Sequence, residues 1–280
     1  MEIIQSIILG FIQGVAEFLP ISSSGHLILI PNIFNWRDQG LAFDVALHWG
    51  TLAAVLAYFW KDWMGIISKS YLLSWLKNPK SQIPNPKQIT NYKLQITKLN
   101  SDLLFIIIVA TIPGIIAGLL LSNYAETIFR NPLLIAGTLS AGAVLLFYSD
   151  KTGAKKTDLK SLTLKMGIII GLFQALAIIP GISRSGITIT AALLFGFRRT
   201  AAARFSFLLS TPIILGAGIK EFPNLLNGGL GINIFLGVLV SAISGYLAIK
   251  YMLKYLESKS YNIFVGYRII LAIAIIFYFL

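Results

Sequence analysis

Gly10-Phe-Ile-Gln-Gly-Val-Ala-Glu-Phe-Leu-Pro-Ile-Ser-Ser-Ser-Gly-His26 begins as an apolar helix and ends as something a lipid-facing helix avoids. Gln13 and Glu17 stand one helical turn apart and share a face. Pro20 then breaks the helix, and three serines, a glycine and a histidine follow. An ionised carboxylate near the centre of a membrane helix costs about 2.5–3.5 kcal/mol on insertion scales, and function is the default reason for bearing that cost.

The membrane setting follows from composition. Of 280 residues, 56% are hydrophobic and only 12% charged, and the mean hydropathy is +0.78. A soluble domain cannot bury so much apolar surface, so the chain reads as an integral membrane protein. Its apolar runs have helical length, which indicates helices and not a barrel. There is no cysteine, which excludes disulfides and thiol chemistry. Two histidines, His26 and His48, are too few for a histidine-built metal site. The net charge of +12 reads as lysines in cytoplasmic loops and not as a nucleic-acid surface. The N-terminus does not read as a signal peptide, because Glu2 replaces a basic segment and polar groups interrupt the apolar core.

Residues 3–19 and 26–35 are each too short for a hydrocarbon core that takes ~20 helical residues. With the polar break between them they predict a re-entrant hairpin, a bent single span being the plainer alternative. A full span follows at 42–60, with Asp44 and His48 near one end, where they are candidates to line an entrance. Residues 61–101 form a polar loop carrying Lys61, Lys69, Lys77, Lys80, Lys87, Lys93 and Lys98 against Asp62. It reads as a tolerated insertion that meets anionic headgroups, with an interfacial helix near 64–76. Spans at 102–121 and 132–148 precede a basic linker with Lys151, Lys155, Lys156 and Lys160. A short apolar helix at 163–180 ends at the Gly181-Ile-Ser-Arg-Ser-Gly186 break, and 187–197 resumes it. Spans at 203–221, 231–249 and 263–280 follow.

The two breaks resemble each other. Gly10-Phe-Ile-Gln-Gly-Val-Ala and the turn to Gly25 match Gly171-Leu-Phe-Gln-Ala-Leu-Ala and the turn to Gly186, fifteen positions from first glycine to last in both copies. Phe43-Asp44-Val45 and Thr51 sit about where Phe205-Ser206-Phe207 and Thr211 sit in the second copy. The expected fold is one all-α membrane domain: a first repeat over 1–148, with the basic loop 61–101 inside it, and a second over 163–280. Each is one re-entrant hairpin plus three spans. Three is odd, so the second copy enters inverted. The lysine-rich loops mark one side as cytoplasmic, which makes the first hairpin dip in from outside and the second from the cytoplasm.

Such paired turns bring two helix N-termini to mid-membrane. Free N–H groups and partial positive charge there favour an anion. The serines, Ser22, Ser23 and Ser24 in one turn and Ser183 and Ser185 in the other, add hydroxyl donors and helix caps. Gly25 and Gly186 permit close backbone approach. Arg184 supplies full charge and a fork that matches phosphate, a pair with Glu17 being its structural alternative. Glu17 beside an anion site implies a divalent cation, proton transfer, or both. Ser23 and His26, three apart, share a face as a nucleophile and its base would.

At these residues the chain resembles a known family, the bacterial undecaprenyl-pyrophosphate phosphatases, also called bacitracin-resistance proteins. The resemblance covers almost the full length and is strongest at Gln13–His26 and at Pro180-Gly-Ile-Ser-Arg-Ser-Gly-Ile-Thr188. It implies a plasma-membrane enzyme with its site opening outward. Such an enzyme cleaves C55 isoprenyl pyrophosphate to the monophosphate and inorganic phosphate, recycling the carrier lipid for cell-wall synthesis. It places the acidic motif on Gln13 and Glu17, the motif serine and histidine on Ser23 and His26, and phosphate binding on Ser183, Arg184 and Thr188. It implies a divalent cation, Mg²⁺ or Ca²⁺, with Glu17 as the one carboxylate of the motif, because Gln13 stands at the first acidic position. Ser23 activated by His26, with water resolving a phosphoserine, is the expected route, and direct attack by water is its rival. Inverted repeats with broken helices also build transporters, so a flippase for phosphorylated isoprenoids is the alternative function.

Overall fold

The architecture follows from where prolines stop helices and where glycines let them touch. It is taken from a computed structural model, which describes residues 2–70, 102–121, 123–124, 127–227 and 231–280. In chain order the helices are α1 (Ile3–Phe18), α2 (Ser23–Ile33), α3 (Gly40–Tyr58), α4 (Trp60–Ser68), α5 (Leu103–Leu120) and α6 (Pro132–Thr152). They continue with α7 (Leu164–Ala175), extended by a 3₁₀ turn over Leu176–Ile178, then α8 (Arg184–Leu194), α9 (Arg199–Asn227), α10 (Ile232–Leu256) and α11 (Asn262–Phe279). The described residues form no named strand, and α3, α5, α6, α9, α10 and α11 are the six helices long and apolar enough to cross a membrane. Their outer faces carry bare apolar side chains such as Leu120 and Phe277, the latter 84% exposed. Water would penalise such surface and lipid does not.

Local signals set the ends. Asp102 caps α5 through the N–H groups of Leu104 and Phe105, and Asn131 caps α6 ahead of Pro132. The first span ends at Tyr58, and α4 begins at Trp60 after a break at Phe59. The helix expected near 64–76 therefore starts earlier, held to α9 by Asp62 accepting from Arg204 at 2.6 Å. The rest of the basic insertion, residues 71–101, lies outside the described residues.

The short helices are wedged against long ones by small residues. Gly10 and Gly14 of α1 lie against Gly237 and Ser244 of α10, where any Cβ would collide. Gly167 and Gly171 of α7 lie likewise against Ile106 and Ala110 of α5. Close approach lets van der Waals packing hold helices together in lipid, where no hydrophobic force drives them. Other pairings include α3 with α9 and α10, α6 with α11, α8 with α6 and α9, and α5 with α9. A core of Phe18, Phe59, Phe197, Phe205 and Phe207 fills one side, and a smaller cluster of Ile28, Leu29, Ile135 and Leu139 fills the other. Between them lie the two polar turns, 19–22 and 179–183.

Candidate active site

Both turns end in the same strained residue. Ser22 and Ser183 precede α2 and α8 with φ of 73° and 70°, a left-handed conformation that a residue with a Cβ rarely adopts. The conformation turns each serine hydroxyl onto the helix it starts. Ser22 Oγ accepts from the Gly25 N–H at 3.3 Å, and Ser183 Oγ accepts from the Gly186 N–H at 3.1 Å. The first intrahelical bonds come from His26 N and Ile187 N, so the N–H groups of Ser23, Ser24, Arg184 and Ser185 are the free donors of the two helix starts.

The turns are also bonded to each other. Gly181 N donates to Ser22 Oγ at 3.0 Å, and Ser185 Oγ donates to Leu19 O at 3.2 Å. Arg268 of α11 reaches both from behind. Its guanidinium donates to Gly181 O at 2.9 Å, Ile182 O at 3.0 Å, Leu139 O at 3.1 Å and, more distantly, Pro20 O at 3.5 Å. Arg268 is 0% exposed, and its partners are all carbonyls, so its charge is balanced by dipoles and no carboxylate.

Glu17 is the hub. It is 6% exposed and takes donors on both oxygens. Arg184 Nη2 donates to Oε1 at 2.7 Å, while Ser23 Oγ and Gln13 Nε2 donate to Oε2 at 2.6 and 3.1 Å. His48 Nε2 lies 3.4 Å from Oε2, and its Nδ1 lies 2.7 Å from Asp44 O. Both ring nitrogens thus face oxygen acceptors, an arrangement the imidazolium satisfies on both sides. Arg184 also donates from Nη1 to Ser206 O at 2.8 Å. Two of its five N–H groups are spent this way, which leaves the others for an anion.

A cavity of about 260 Å³ opens beside this hub, lined by Glu17, Ser23, Ser24, His48, Ser183 and Arg184 among others. Asp44, Arg130 and Gln174 line it too. Arg130 donates from Nη1 to Asp44 at 3.1 Å and, through Nε and Nη2, to Asp38 at 2.8 and 2.6 Å. Of the other expected site residues, Gln13 sits behind Glu17. Thr188 sits behind Arg184, 2.7 Å from Ser206 Oγ. Ser22, Ser185, Gly25 and Gly186 build the turns and do not line the cavity.

Comparison with known sequences fits this geometry. The family model for the bacitracin resistance protein BacA matches residues 6–274. This chain belongs to the BacA family. Proteins named undecaprenyl-diphosphatase are similar to it along the whole length. The one from Moorella thermoacetica is 50% identical over 99% of this chain and 97% of its own. Those from Pelotomaculum thermopropionicum and Desulforudis audaxviator are 40% and 42% identical, each over 99% of this chain and 96% and 97% of their own.

One expectation drawn from the spacing of Ser23 and His26 is corrected by the geometry. Ser23 and His26 do not form a couple. His26 Nδ1 lies 2.7 Å from the Ser22 carbonyl, which only accepts, so Nδ1 carries the hydrogen. Its Nε2 accepts from the Tyr267 hydroxyl at 2.6 Å, and the two rings stack with centroids 5.7 Å apart. Ser23 is the first residue of α2, where the chain is still turning, and its hydroxyl swings back to Glu17. The two side chains therefore leave the helix toward different neighbours although their spacing gives them a common face.

Four site residues escaped the motif reading or were only glimpsed. His48, a candidate for an entrance, reaches Glu17 itself. Arg130 lies in the loop before α6, outside both motifs. Gln174 stands where Gln13 stands in the first copy of the repeat, a signal that would have found it. Arg268 had none, since backbone carbonyls leave no mark in a sequence.

The divalent cation fits this donor set poorly as a resident ion. Arg184, Ser23 and Gln13 present N–H and O–H donors to the Glu17 oxygens, and His48 Nε2 beside them donates as the imidazolium, so the carboxylate is set among partners of an anion and not in a ligand set for a cation. Asp44 is taken by Arg130, and no group of three or more His, Cys, Asp or Glu side chains converges among the described residues.

Proposed function

We propose that this chain is an undecaprenyl-diphosphate phosphatase, cleaving the polyprenyl diphosphate to the monophosphate and inorganic phosphate for reuse of the carrier lipid in cell-wall synthesis. One observation carries the reading: a serine hydroxyl held at 2.6 Å by a buried carboxylate whose other oxygen is held at 2.7 Å by an arginine. All three line one cavity between two helix N-termini. That set binds an anion, supplies a nucleophile and accepts its proton.

In the proposed reaction the terminal phosphate lies against Arg184, Ser183 and the free N–H groups of α8. Arg184 keeps its bonds to Glu17 and Ser206 while its remaining N–H groups meet phosphate oxygens. These donors offset charge as the phosphoryl group transfers. Ser23 Oγ attacks the terminal phosphorus and its proton passes to Glu17 Oε2. The anhydride P–O bond breaks, and Glu17 gives that proton to the departing bridging oxygen of the lipid monophosphate. Water then attacks the phosphoserine. Inorganic phosphate leaves, and a proton from that water returns to Ser23 through Glu17. His48 stabilises the ionised form of Glu17 between steps. The cation expected for this family would arrive as a counter-ion of the diphosphate and would offset its charge.

The two halves, 1–148 and 163–280, are read as inverted repeats. The matched serines at the two turns and the matched packing of α1 on α10 and α7 on α5 support this reading. The lysine-rich segments lie in the cytoplasm, and the site opens to the outer face of the plasma membrane.

Phosphate release in detergent micelles tests the proposal, because transport has no meaning there. Purified protein with Mg²⁺ releases phosphate from a polyprenyl diphosphate, and Glu17→Gln and Arg184→Ala abolish most of it. No release by the wild type overturns the enzyme; release undiminished in both variants overturns the site.

A further inference from the structure

A second arginine lines the polar cavity, and it comes from outside the two turns. Arg130 ends a 3₁₀ turn, Ile128–Arg130, that leads into α6. It borders two spaces. One is the cavity of the Glu17 hub; the other is an open vestibule of about 690 Å³ lined also by Thr127, Ile128, Asn131 and Leu134. The Arg130 side chain is thus part of the wall between them.

The grip on this arginine is uneven. Asp38, in the connection between α2 and α3, takes Nε and Nη2 at 2.8 and 2.6 Å, a two-point fork that fixes the plane of the guanidinium. Asp44, near the start of α3, takes only Nη1, at 3.1 Å. The side chain of Asp38 is 39% exposed and that of Asp44 11%. The guanidinium therefore reaches from a carboxylate in contact with solvent to one that lines the cavity. Losing the Asp44 bond leaves the fork to Asp38 in place, so one edge of the arginine is anchored and the other is exchangeable. Arg184 is held in the same manner: Ser206 O takes Nη1, and Glu17, itself a cavity carboxylate, takes Nη2. Both arginines of the cavity rest on a carboxylate that lines it, and a phosphate competes with each carboxylate for the same kind of donor.

We propose that Arg130 is a second phosphate-binding residue of this cavity, which exchanges Asp44 for a phosphate oxygen at Nη1. The ligand is a phosphate group, either that of the diphosphate substrate or that of released inorganic phosphate. The phosphatase reading supplies these two sources, and the binding chemistry is common to both. A multiply charged anion does not leave through lipid, and Arg130 is a cationic group that the cavity and the vestibule share. Asp44 then has a part of its own. It keeps Nη1 partnered while the site is empty, and its charge weakens the hold on phosphate once the site is filled.

Isothermal titration of inorganic phosphate into purified protein in micelles tests the binding without any turnover. Arg130→Gln weakens phosphate binding about tenfold or more, the size of one lost charge-assisted bond. Asp44→Asn acts with the opposite sign: it removes a competitor and a like charge, and phosphate binds several-fold tighter. An arginine that merely ties the α2–α3 connection to α6 predicts no such opposed pair of shifts. Arg204→Gln breaks the pair with Asp62, outside both spaces, and keeps the affinity within about twofold of wild type. Steady-state kinetics then separate the sources. A raised KM for polyprenyl diphosphate in Arg130→Gln puts the bond on the substrate, and an unchanged KM with weaker product inhibition puts it on the released phosphate. Phosphate affinity unchanged in Arg130→Gln overturns the proposal, as does a wild type that binds no phosphate. Thermal unfolding reports whether each variant is folded. Should Arg130→Gln fail to fold, Asp44→Asn decides alone: tighter phosphate supports the exchange, and unchanged or weaker phosphate overturns it. A wild type that binds phosphate with these shifts yet cleaves no polyprenyl diphosphate overturns the phosphatase reading and leaves the phosphate site standing.

Discussion

The Ser23 hydroxyl lies 2.6 Å from Glu17 Oε2, and no histidine stands between them. The bond is short enough to be charge-assisted. It crosses the first hairpin, from the last turn of α1 to the first residue of α2. The candidate nucleophile and base are thus brought together by the break itself, which is the physical reason for placing a proline and three serines after a membrane helix.

Glu17→Gln tests that pairing. The amide keeps the shape and loses the ability to take a proton, so kcat falls about 10²–10⁴-fold with a smaller change in KM. Ser23→Ala falls as far, and the double variant falls no further than the worse single one, because the two act as a unit. Rapid-quench trapping of ³²P on wild-type protein, absent in Ser23→Ala, separates covalent catalysis from direct attack by water. A Ser23→Ala enzyme with near-normal turnover sinks the nucleophile.

His26 acts through Tyr267 and Ser22 in this arrangement. Its ring ties the first turn of α2 to α11, so its loss disturbs the position of Ser23 without removing a proton acceptor. Tyr267→Phe and His26→Gln both lower kcat, by about 10-fold or more for His26→Gln, and the effects are non-additive in a double-mutant cycle. Strict additivity would show that His26 works independently of Tyr267.

Arg184→Ala removes phosphate binding and also strands a buried carboxylate. Breaking a buried pair from one side costs about 3–5 kcal/mol, which appears as a lower midpoint in thermal unfolding. Replacing both members, Glu17→Gln with Arg184→Met, recovers much of that stability and none of the activity. Arg184→Lys keeps the charge but has no fork to hold Ser206 O, Glu17 and phosphate together, so kcat/KM still falls about 10²-fold or more. If the lysine variant matches wild type, charge alone suffices and the fork is irrelevant.

Much of this was legible in the sequence because it rests on covalent features. Proline at 20 and 180, short apolar runs on either side and matched glycines predict two hairpins, and most helices fall within a few residues of the expected bounds, although α9 and α10 run six and seven residues past theirs. Glu17, Ser23, Ser183 and Arg184 were placed in one site because charge buried in lipid needs partners. Side-chain direction at a helix start was not legible. Ser22 and Ser183 are left-handed, which no local propensity of serine suggests, and that geometry sends Ser23 to Glu17 and His26 to Tyr267. Arg268 was invisible for a related reason: its acceptors are carbonyls from three separate segments, a match made only by the fold.

The cation gives a prediction about the free protein. Since Arg184, Ser23 and Gln13 already occupy both Glu17 oxygens, substrate-free enzyme binds Mg²⁺ or Ca²⁺ no tighter than ~1 mM, as weakly as open extracellular sites. Chelation with EDTA still stops phosphate release, and adding substrate lowers the cation concentration needed for half-maximal rate. Isothermal titration of the free protein measures the first point and initial rates measure the others. Tight binding without substrate, lost in Glu17→Gln, would instead make Glu17 a resident ligand.

Arg268 is the sternest test of how the site is assembled. Its guanidinium joins carbonyls of both turns and of α6 from a fully buried position. Arg268→Met leaves several of those carbonyls unsatisfied, at about 1–3 kcal/mol each where water cannot reach, and lets the turns separate. Because the guanidinium touches the turns and does not line the substrate cavity, the loss falls on kcat more than on KM. Arg268→Lys restores the charge but offers three donors from one point where the arginine spans four carbonyls, so it recovers stability better than turnover. A lysine variant with full kcat would show that the buried charge alone is what the anion site uses, and that the geometry of the staple is dispensable.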